Sequence, residues 1–314
     1  MSIYSLIAVI FLISGIFLGI KNNLIHFQYP SVPKNYPIPS IIPSITSPQT
    51  PTASPSATPT ATPSAIPKPT IIPTPAPQVN NTPPGSGYSY QAVSAEGQIY
   101  KVAIVAADLN STKVIVDTAS ESDCSNECPT LALADYVNRN GAWAGINGSF
   151  FCPAEYPSCG GKTGSFDTLL MNKNKHYFNS DNNVYSTVPA AIFSPGGARF
   201  VSQSLEWGRD TSIDGVIANY PLLVRGGNVN FTEAPNEPKF GAKGARTFIA
   251  SKDNMVYIGV IYSATMGESA KVLAAMGMGE ALNLDEGGST ALWSGGYKAG
   301  PGRNIPNAVL FVKR

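Results

Sequence analysis

Histidine is nearly absent, with 2 in 314 residues, His26 and His176. Ser-His-Asp catalysis would have to rest on His176, since His26 precedes the folded part, and a triad base needs a third group to hold it. His176 closes Asn172-Lys173-Asn174-Lys175-His176, which reads as a polar hairpin tip, so that chemistry is set aside. No Gly-x-Ser-x-Gly elbow and no phosphate-binding P-loop occurs. An excess of one charge is also lacking: 21 basic and 20 acidic residues leave a net charge of +1. Nucleic-acid binding needs a clustered basic face, so no nucleic acid is expected as a partner. Cysteine is sparse, at 4 residues, all of them beyond an early proline-rich segment.

Charge is missing altogether from Ile3 to Ile20, a run that Lys21 closes. As a helix this run rises roughly 27 Å, close to the ~30 Å of a hydrocarbon core. Residues 1–21 are therefore expected to form an uncleaved transmembrane anchor. A cleavable signal peptide is the narrower rival, but no small-x-small site follows closely and the run is long for such a leader. The positive-inside rule, applied to Lys21 alone, would leave the C-terminal part in the cytoplasm. The stalk and the cysteines argue the other way, and the head is expected outside the cytoplasm, membrane-anchored.

The stalk covers 22–87. From Tyr29 to about Gly87 the chain is Pro, Thr, Ser, Ala and Ile, with repeats such as Ala57-Thr58-Pro59-Thr60-Ala61-Thr62-Pro63. Proline removes backbone donors and no apolar periodicity exists to bury, which predicts a disordered, polyproline-biased spacer. Segments of this composition lift a head off a surface, and their hydroxyls can carry O-glycans.

What remains, 88–314, has the composition of one domain of roughly 225 residues, large enough for a substantial core. Tyr100–Ala107 and Lys113–Thr118 are β-rich and flank Asp108-Leu109-Asn110-Ser111, a hairpin signal. Arg246–Ser251 and Met255–Ile261 repeat the pattern around Lys252-Asp253-Asn254. A helix is predicted over Thr130–Asn140, with Leu131, Ala134 and Val137 on one face and a stop at Gly141. A second, Glu268–Met278, follows the capping box Thr265-Met266-Gly267-Glu268. Many strands and few helices, not in alternation, predict an α+β domain on mixed sheet. Outside the cytoplasm the even cysteine count implies disulfides with three pairings open. Cys124–Cys128 and Cys152–Cys159, each closing a small loop, are the expected pair. A four-cysteine zinc site is the rival, disfavoured by the six-residue gap in the second half.

Three segments carry polar groups that a core would not select. In Ala144-Gly145-Ile146-Asn147-Gly148-Ser149-Phe150-Phe151 a strand runs into a turn pair and two aromatics; a plain β-turn would look the same. Gly244-Ala245-Arg246-Thr247 opens an apolar strand with an arginine, which alone would pass for a surface ion pair. Ala281-Leu282-Asn283-Leu284-Asp285-Glu286-Gly287-Gly288-Ser289-Thr290 is richer: a buried strand delivers two carboxylates, a Gly-Gly turn and two hydroxyls. Neighbouring strand residues face opposite ways, so Asp285 and Glu286 need not act as a pair.

Taken in order, Asn-Gly-Ser-Phe-Phe after a strand, Arg-Thr opening another, the helix at 268–279 and Asn-Leu-Asp-x-Gly-Gly-Ser-Thr resemble the phosphodiester glycosidase family. Ile217–Val224 and Arg303–Val309 are similar to further family segments, so the resemblance spans about Lys101 to the C-terminus. Two positions depart from the family pattern: Ser149 and Glu286 each stand where it has glycine. The family includes an enzyme that removes N-acetylglucosamine from a phosphodiester, so the resemblance implies a hydrolase acting on a carbohydrate or sugar-phosphate.

In such a substrate the leaving group is a phosphate, which needs little acid help. The reaction then requires a carboxylate at the oxocarbenium-like carbon and a cation on the departing phosphate. Asp285 is expected in the first role, Arg246 in the second, and Glu286 as the base for water. Asn147, Gly148, Thr247, Gly287, Gly288, Ser289 and Thr290 are expected to orient the substrate. No cofactor is read from the residues, and a divalent cation is left open, because Asp285 and Glu286 are hard oxygen donors of the kind it takes although no third ligand can be named. Two other uses fit the sequence. One is a non-catalytic polysaccharide-binding head with Tyr88, Tyr90, Trp143, Trp207 and Trp293 as stacking rings. The other is a part in building or trimming exopolysaccharide.

Overall fold

The computed structural model describes residues 78–180, 187–233 and 238–314. The anchor expected at 1–21, His26 and the stalk up to residue 77 lie outside the described residues. Among the described residues no helix is long and apolar enough to cross a membrane.

Seventeen strands among the described residues form three sheets. The largest holds, in spatial order, β1 (Gly87–Ala95), β2 (Gln98–Asp108), β13 (Met255–Ala264), β12 (Gly244–Lys252), β14 (Glu280–Asn283), β10 (Leu222–Arg225) and β11 (Asn228–Val229). A second runs β16 (Tyr297–Ala299), β15 (Leu292–Ser294), β4 (Ala144–Asn147), β17 (Asn307–Lys313) and β3 (Thr112–Thr118). The third holds β6 (Tyr177–Phe178), β5 (Leu170–Met171), β9 (Gly215–Ala218), β7 (Ala190–Ser194) and β8 (Gly197–Val201). One apolar core joins all three, from Val105 and Ile258 through Val116, Ile146 and Phe311 to Leu170 and Phe193.

Helices cover the outer faces. Helix α1 (Leu133–Asn140) buries Leu133, Tyr136 and Val137 and ends at Gly141 in the left-handed region. It packs with Leu310 and Ala308 of the second sheet. Between β11 and β12 lies the short α2 (Pro238–Gly241). Helix α3 (Met266–Ala275) lays Met266, Ala270, Val272 and Leu273 on the large sheet against Ile104, Phe248 and Ala281. Its capping box is formed: the Thr265 hydroxyl accepts from the Glu268 N–H at 3.1 Å, and the Thr265 N–H donates to the Glu268 carboxylate at 2.8 Å. Both disulfides take the expected small-loop pairing, Cys124–Cys128 and Cys152–Cys159.

The domain is mostly β with few helices, as an α+β domain should be, but several expectations are corrected. Every strand-to-strand ladder among the described residues is antiparallel, not mixed. The crossover helix α3 passes over β12, so its flanking strands β13 and β14 run parallel without touching. Asp108–Ser111 does not close a hairpin. Both edges of β2 are taken by β1 and β13, so the chain leaves the large sheet and β3 pairs with β17 instead. Helix α1 starts three residues later than expected, because Leu131 is held in a bridge to Ile305. The second helix begins earlier and ends earlier than 268–278. Finally, the last part of the expected stalk is ordered. Val79 bridges Ala92, the Asn80 N–H donates to the Ala92 carbonyl at 2.8 Å, and the Gln91 amide donates to the Asn80 carbonyl at 2.8 Å.

Candidate active site

The 284–291 loop carries the chain from β14 in the large sheet to β15 in the second, and it crosses where the ends of β4 and β12 meet. Leu284 still belongs to the ladder, its N–H donating to the Thr247 carbonyl at 3.1 Å. At Asp285 the ladder stops and the backbone is pinned from three sides. Its N–H donates to the Gly148 carbonyl at 2.8 Å, and its own carbonyl accepts from the Asn147 amide at 2.6 Å and from the Thr247 hydroxyl. The other end of the Asn147 side chain accepts the Ala291 N–H at 3.0 Å, so this one amide clasps both ends of the loop.

Around that clasp stand three more fully buried asparagines: Asn219, Asn283 and Asn307. A buried amide is costly without partners, and most of these groups find backbone. The Asn307 amide donates to the Ser149 hydroxyl at 3.1 Å, and the Asn283 side-chain oxygen has no partner among the described residues. The Asn307 carbonyl oxygen accepts the Ser149 N–H at 2.9 Å, and that of Asn219 accepts the Phe150 N–H at 3.0 Å. The Asn219 amide donates to the Asn283 carbonyl at 2.9 Å, and the Asn283 amide to the Tyr220 carbonyl at 3.1 Å. Gly148 lets this happen: a Cβ there would lie 1.8 Å from the Asn307 side-chain oxygen. Sequence pattern alone assigned these asparagines no role, although each lies at or next to the end of an apolar strand, where a polar residue needs a reason.

The Asp285 carboxyl is half-buried. It accepts the Glu286 N–H at 2.9 Å and a hydrogen bond from the Ser289 hydroxyl. Burial, the largest influence, pushes its pKa up to about 6; Ser289, the Glu286 N–H and the positive charge of Lys239 hold it back, while the Glu286 charge adds to the rise. A carboxyl so placed changes charge close to neutrality, which is what acid–base or nucleophilic work at that pH asks for.

Arg246 is buried near the start of β12. It is 4 % exposed, and its donors are spent: Nε on the Ala264 carbonyl at 3.0 Å, Nη2 on the Ala242 and Phe240 carbonyls, and Nη1 on the Glu286 carboxylate. The pair explains the departure at 286, because the extra carboxylate has a buried guanidinium to meet it. Arg246, expected on the phosphate, and Glu286, expected to activate water, are paired with each other in this structure. Asn147 and Thr247, expected on the substrate, hold the Asp285 backbone.

Two cations that the sequence did not single out stand nearer the open side. Lys239 of α2 is exposed, with its ammonium 4.3 Å from the Phe150 ring centroid. Arg303 is 18 % exposed in its side chain and lies so close to Gly288 that a Cβ there would be 2.1 Å from its guanidinium. Its N–H donates to the Gly288 carbonyl at 2.9 Å and its Nη1 pairs with Glu155 at 3.2 Å. The Thr290 hydroxyl is buried without a protein partner among the described residues. No group of three His, Cys, Asp or Glu that could hold a metal occurs among the described residues. Of the rings expected to stack on sugars, Trp207 is buried, Trp143 packs on Phe311 and Trp293 on Tyr297, while Tyr88 and Tyr90 are exposed.

A buried strand end thus presents a carboxyl where two sheets meet, with buried asparagines around its backbone and Lys239 and Arg303 on neighbouring segments. The model of the phosphodiester glycosidase family matches residues 140–312, and the chain belongs to that family. The catalytic domain of zebrafish N-acetylglucosamine-1-phosphodiester alpha-N-acetylglucosaminidase, auto-inhibited by its pro-peptide, superposes with a TM-score of 0.58 at 15% identity, over 73% of this chain and 83% of that one. A hypothetical protein from Synechocystis gives 0.49 at 13% identity, over 72% and 62%. No curated protein matches the chain. The likeness to the zebrafish domain shows the fold.

Proposed function

We propose that the chain is a hydrolase that cleaves sugar-1-phosphodiester bonds or related cell-surface glycan linkages, working outside the cytoplasm on an N-terminal membrane helix and a proline-rich stalk. The observation that carries the reading is Asp285: a half-buried carboxyl with a raised pKa whose backbone is fixed by Asn147, Gly148 and Thr247. The zebrafish relative, by its name, acts on a sugar phosphodiester, and the cations at 239 and 303 suit the same class of substrate.

In its ionised form Asp285 would stabilise or attack the anomeric carbon as the C1–O bond breaks. The bonding pair leaves with the phosphate, water supplies the hydroxyl of the free sugar, and the remaining proton of that water passes to the released phosphate. Lys239 and Arg303 would take up the charge of the departing phosphate; a charge-assisted bond is roughly twice as strong as a neutral one. The backbone at Gly287 and Gly288, with Ser289 and Thr290, would orient sugar or phosphate oxygens. Glu286 contributes indirectly by tying the loop to Arg246.

Asp285→Asn tests this. Turnover of sugar-1-phosphodiesters, followed as free sugar, should fall by a factor on the order of 10³ or more, the loss typical when a principal transition-state interaction is removed. Turnover at the wild-type rate in this variant would end the assignment.

A further inference from the structure

Three tyrosines share one face of the large sheet at its β1 edge. Tyr88 and Tyr90 are 38 % and 57 % exposed, and Tyr262 of β13 is half-buried. The rings of Tyr90 and Tyr262 lie 6.2 Å apart, and Lys298 of β16 holds its ammonium 4.9 Å from the Tyr88 centroid. Register makes them a single array. Residues two apart on a strand share a face, as do directly opposed neighbours. Tyr90 opposes Ala103, Ala103 opposes Val260, and Tyr262 follows Val260 by two.

Beside the array opens a hollow of about 540 Å³, where the 78–82 segment crosses β1. Gln78, Asn80, Ser89 and Lys101 line it along with Tyr90. Apart from Val79 and Ala92 the lining is amide, hydroxyl, phenol and ammonium, groups that suit sugar hydroxyls. Exposed phenol rings supply flat apolar faces for the other side of a pyranose.

We propose that this face is a second carbohydrate site, which holds a glycan chain by stacking on Tyr88, Tyr90 and Tyr262 while the groups around the hollow bond its hydroxyls. The site is linked to the catalytic loop by one cross-strand row. Tyr90, Ala103, Val260 and Thr247 oppose one another in turn, and the Thr247 hydroxyl meets the Asp285 carbonyl. Three interstrand steps span about 14 Å, the backbone separation of Tyr90 from Thr247 across residues that are themselves buried.

The test is affinity electrophoresis of the full-length, detergent-solubilised chain carrying Asp285→Asn, in gels containing soluble mixed-linkage glucan, galactomannan or polygalacturonate. Because turnover is removed, the result stands apart from the hydrolase assignment. Retardation is expected in at least one gel, about tenfold weaker for the Tyr88→Ala/Tyr90→Ala variant and unchanged for Tyr90→Phe, which keeps the ring. Thermal melting of both variants should match the parent, since the rings removed are exposed. No retardation in any gel, or equal retardation of parent and double variant, overturns the proposal.

Discussion

The raised pKa of Asp285 makes a claim about stability that can be measured without knowing the substrate. Its ordinary value is 3.8 and its value in the fold is about 6, chiefly through burial. Between those limits the folded state holds a proton that the unfolded state has released. Stability therefore falls as pH rises from about 4 to about 6 and stays at the lower level above, by linkage. A shift of about two units is worth about 3 kcal/mol at most. Asn keeps the shape of the acid and can still accept the Glu286 N–H, but carries no charge to desolvate. Asp285→Asn should therefore be nearly neutral at pH 4 and stabilising by about 1–3 kcal/mol at pH 7.5. Urea melts of both proteins at pH 4, 5, 6 and 7.5 read the difference directly. A variant that is destabilised equally at every pH would show that Asp285 is not held against its charge, and the cause assigned to the shift would be wrong.

Other outcomes follow from the same contacts. Arg246→Ala leaves Glu286 buried without its partner and should destabilise by about 3–5 kcal/mol; Arg246→Ala with Glu286→Gln should recover a measurable part of that in the same urea melts. Gly148→Ala puts a methyl on the Asn307 side-chain oxygen and should cost more than about 3 kcal/mol or prevent soluble expression. Lys239→Ala and Arg303→Ala should each lower kcat/KM on sugar phosphodiesters about 10- to 100-fold, the loss of a charge-assisted contact of roughly 1.5–3 kcal/mol. On aryl glycosides, whose leaving group carries no phosphate, the same variants should lose little, which steady-state assays on the two substrate types would check.

Much of the polar chemistry is legible in the sequence because it is local. The strand ending in Asp285-Glu286-Gly287-Gly288-Ser289-Thr290 announces a site by placing carboxylates and hydroxyls where a core has no use for them. The capping box at Thr265 and the small cysteine loops are likewise set by residues a few positions apart, so spacing alone locates them. The hairpin expected at Asp108–Ser111 fails for a reason local pattern does not contain: a neighbouring strand fills the edge of β2. Composition likewise places residues 79–82 in the stalk, whereas the edge of β1 supplies them with hydrogen bonds.

Residue type, then, settled that the head is mostly β with a carboxylate-bearing loop, because alternation, turns and caps act over a handful of positions. Who meets whom was decided only by the packing of three sheets. A sequence shows that Arg246 and Glu286 are charged, but not that 40 residues of separation collapse into one buried ion pair. Nor does it show that Asn147 turns inward to the loop, that the Lys239 charge reaches Asp285, or that Arg303 comes to lie against Gly288. Charge, hydrogen bonding and desolvation all depend on distance through space, and that distance exists only once the chain has folded.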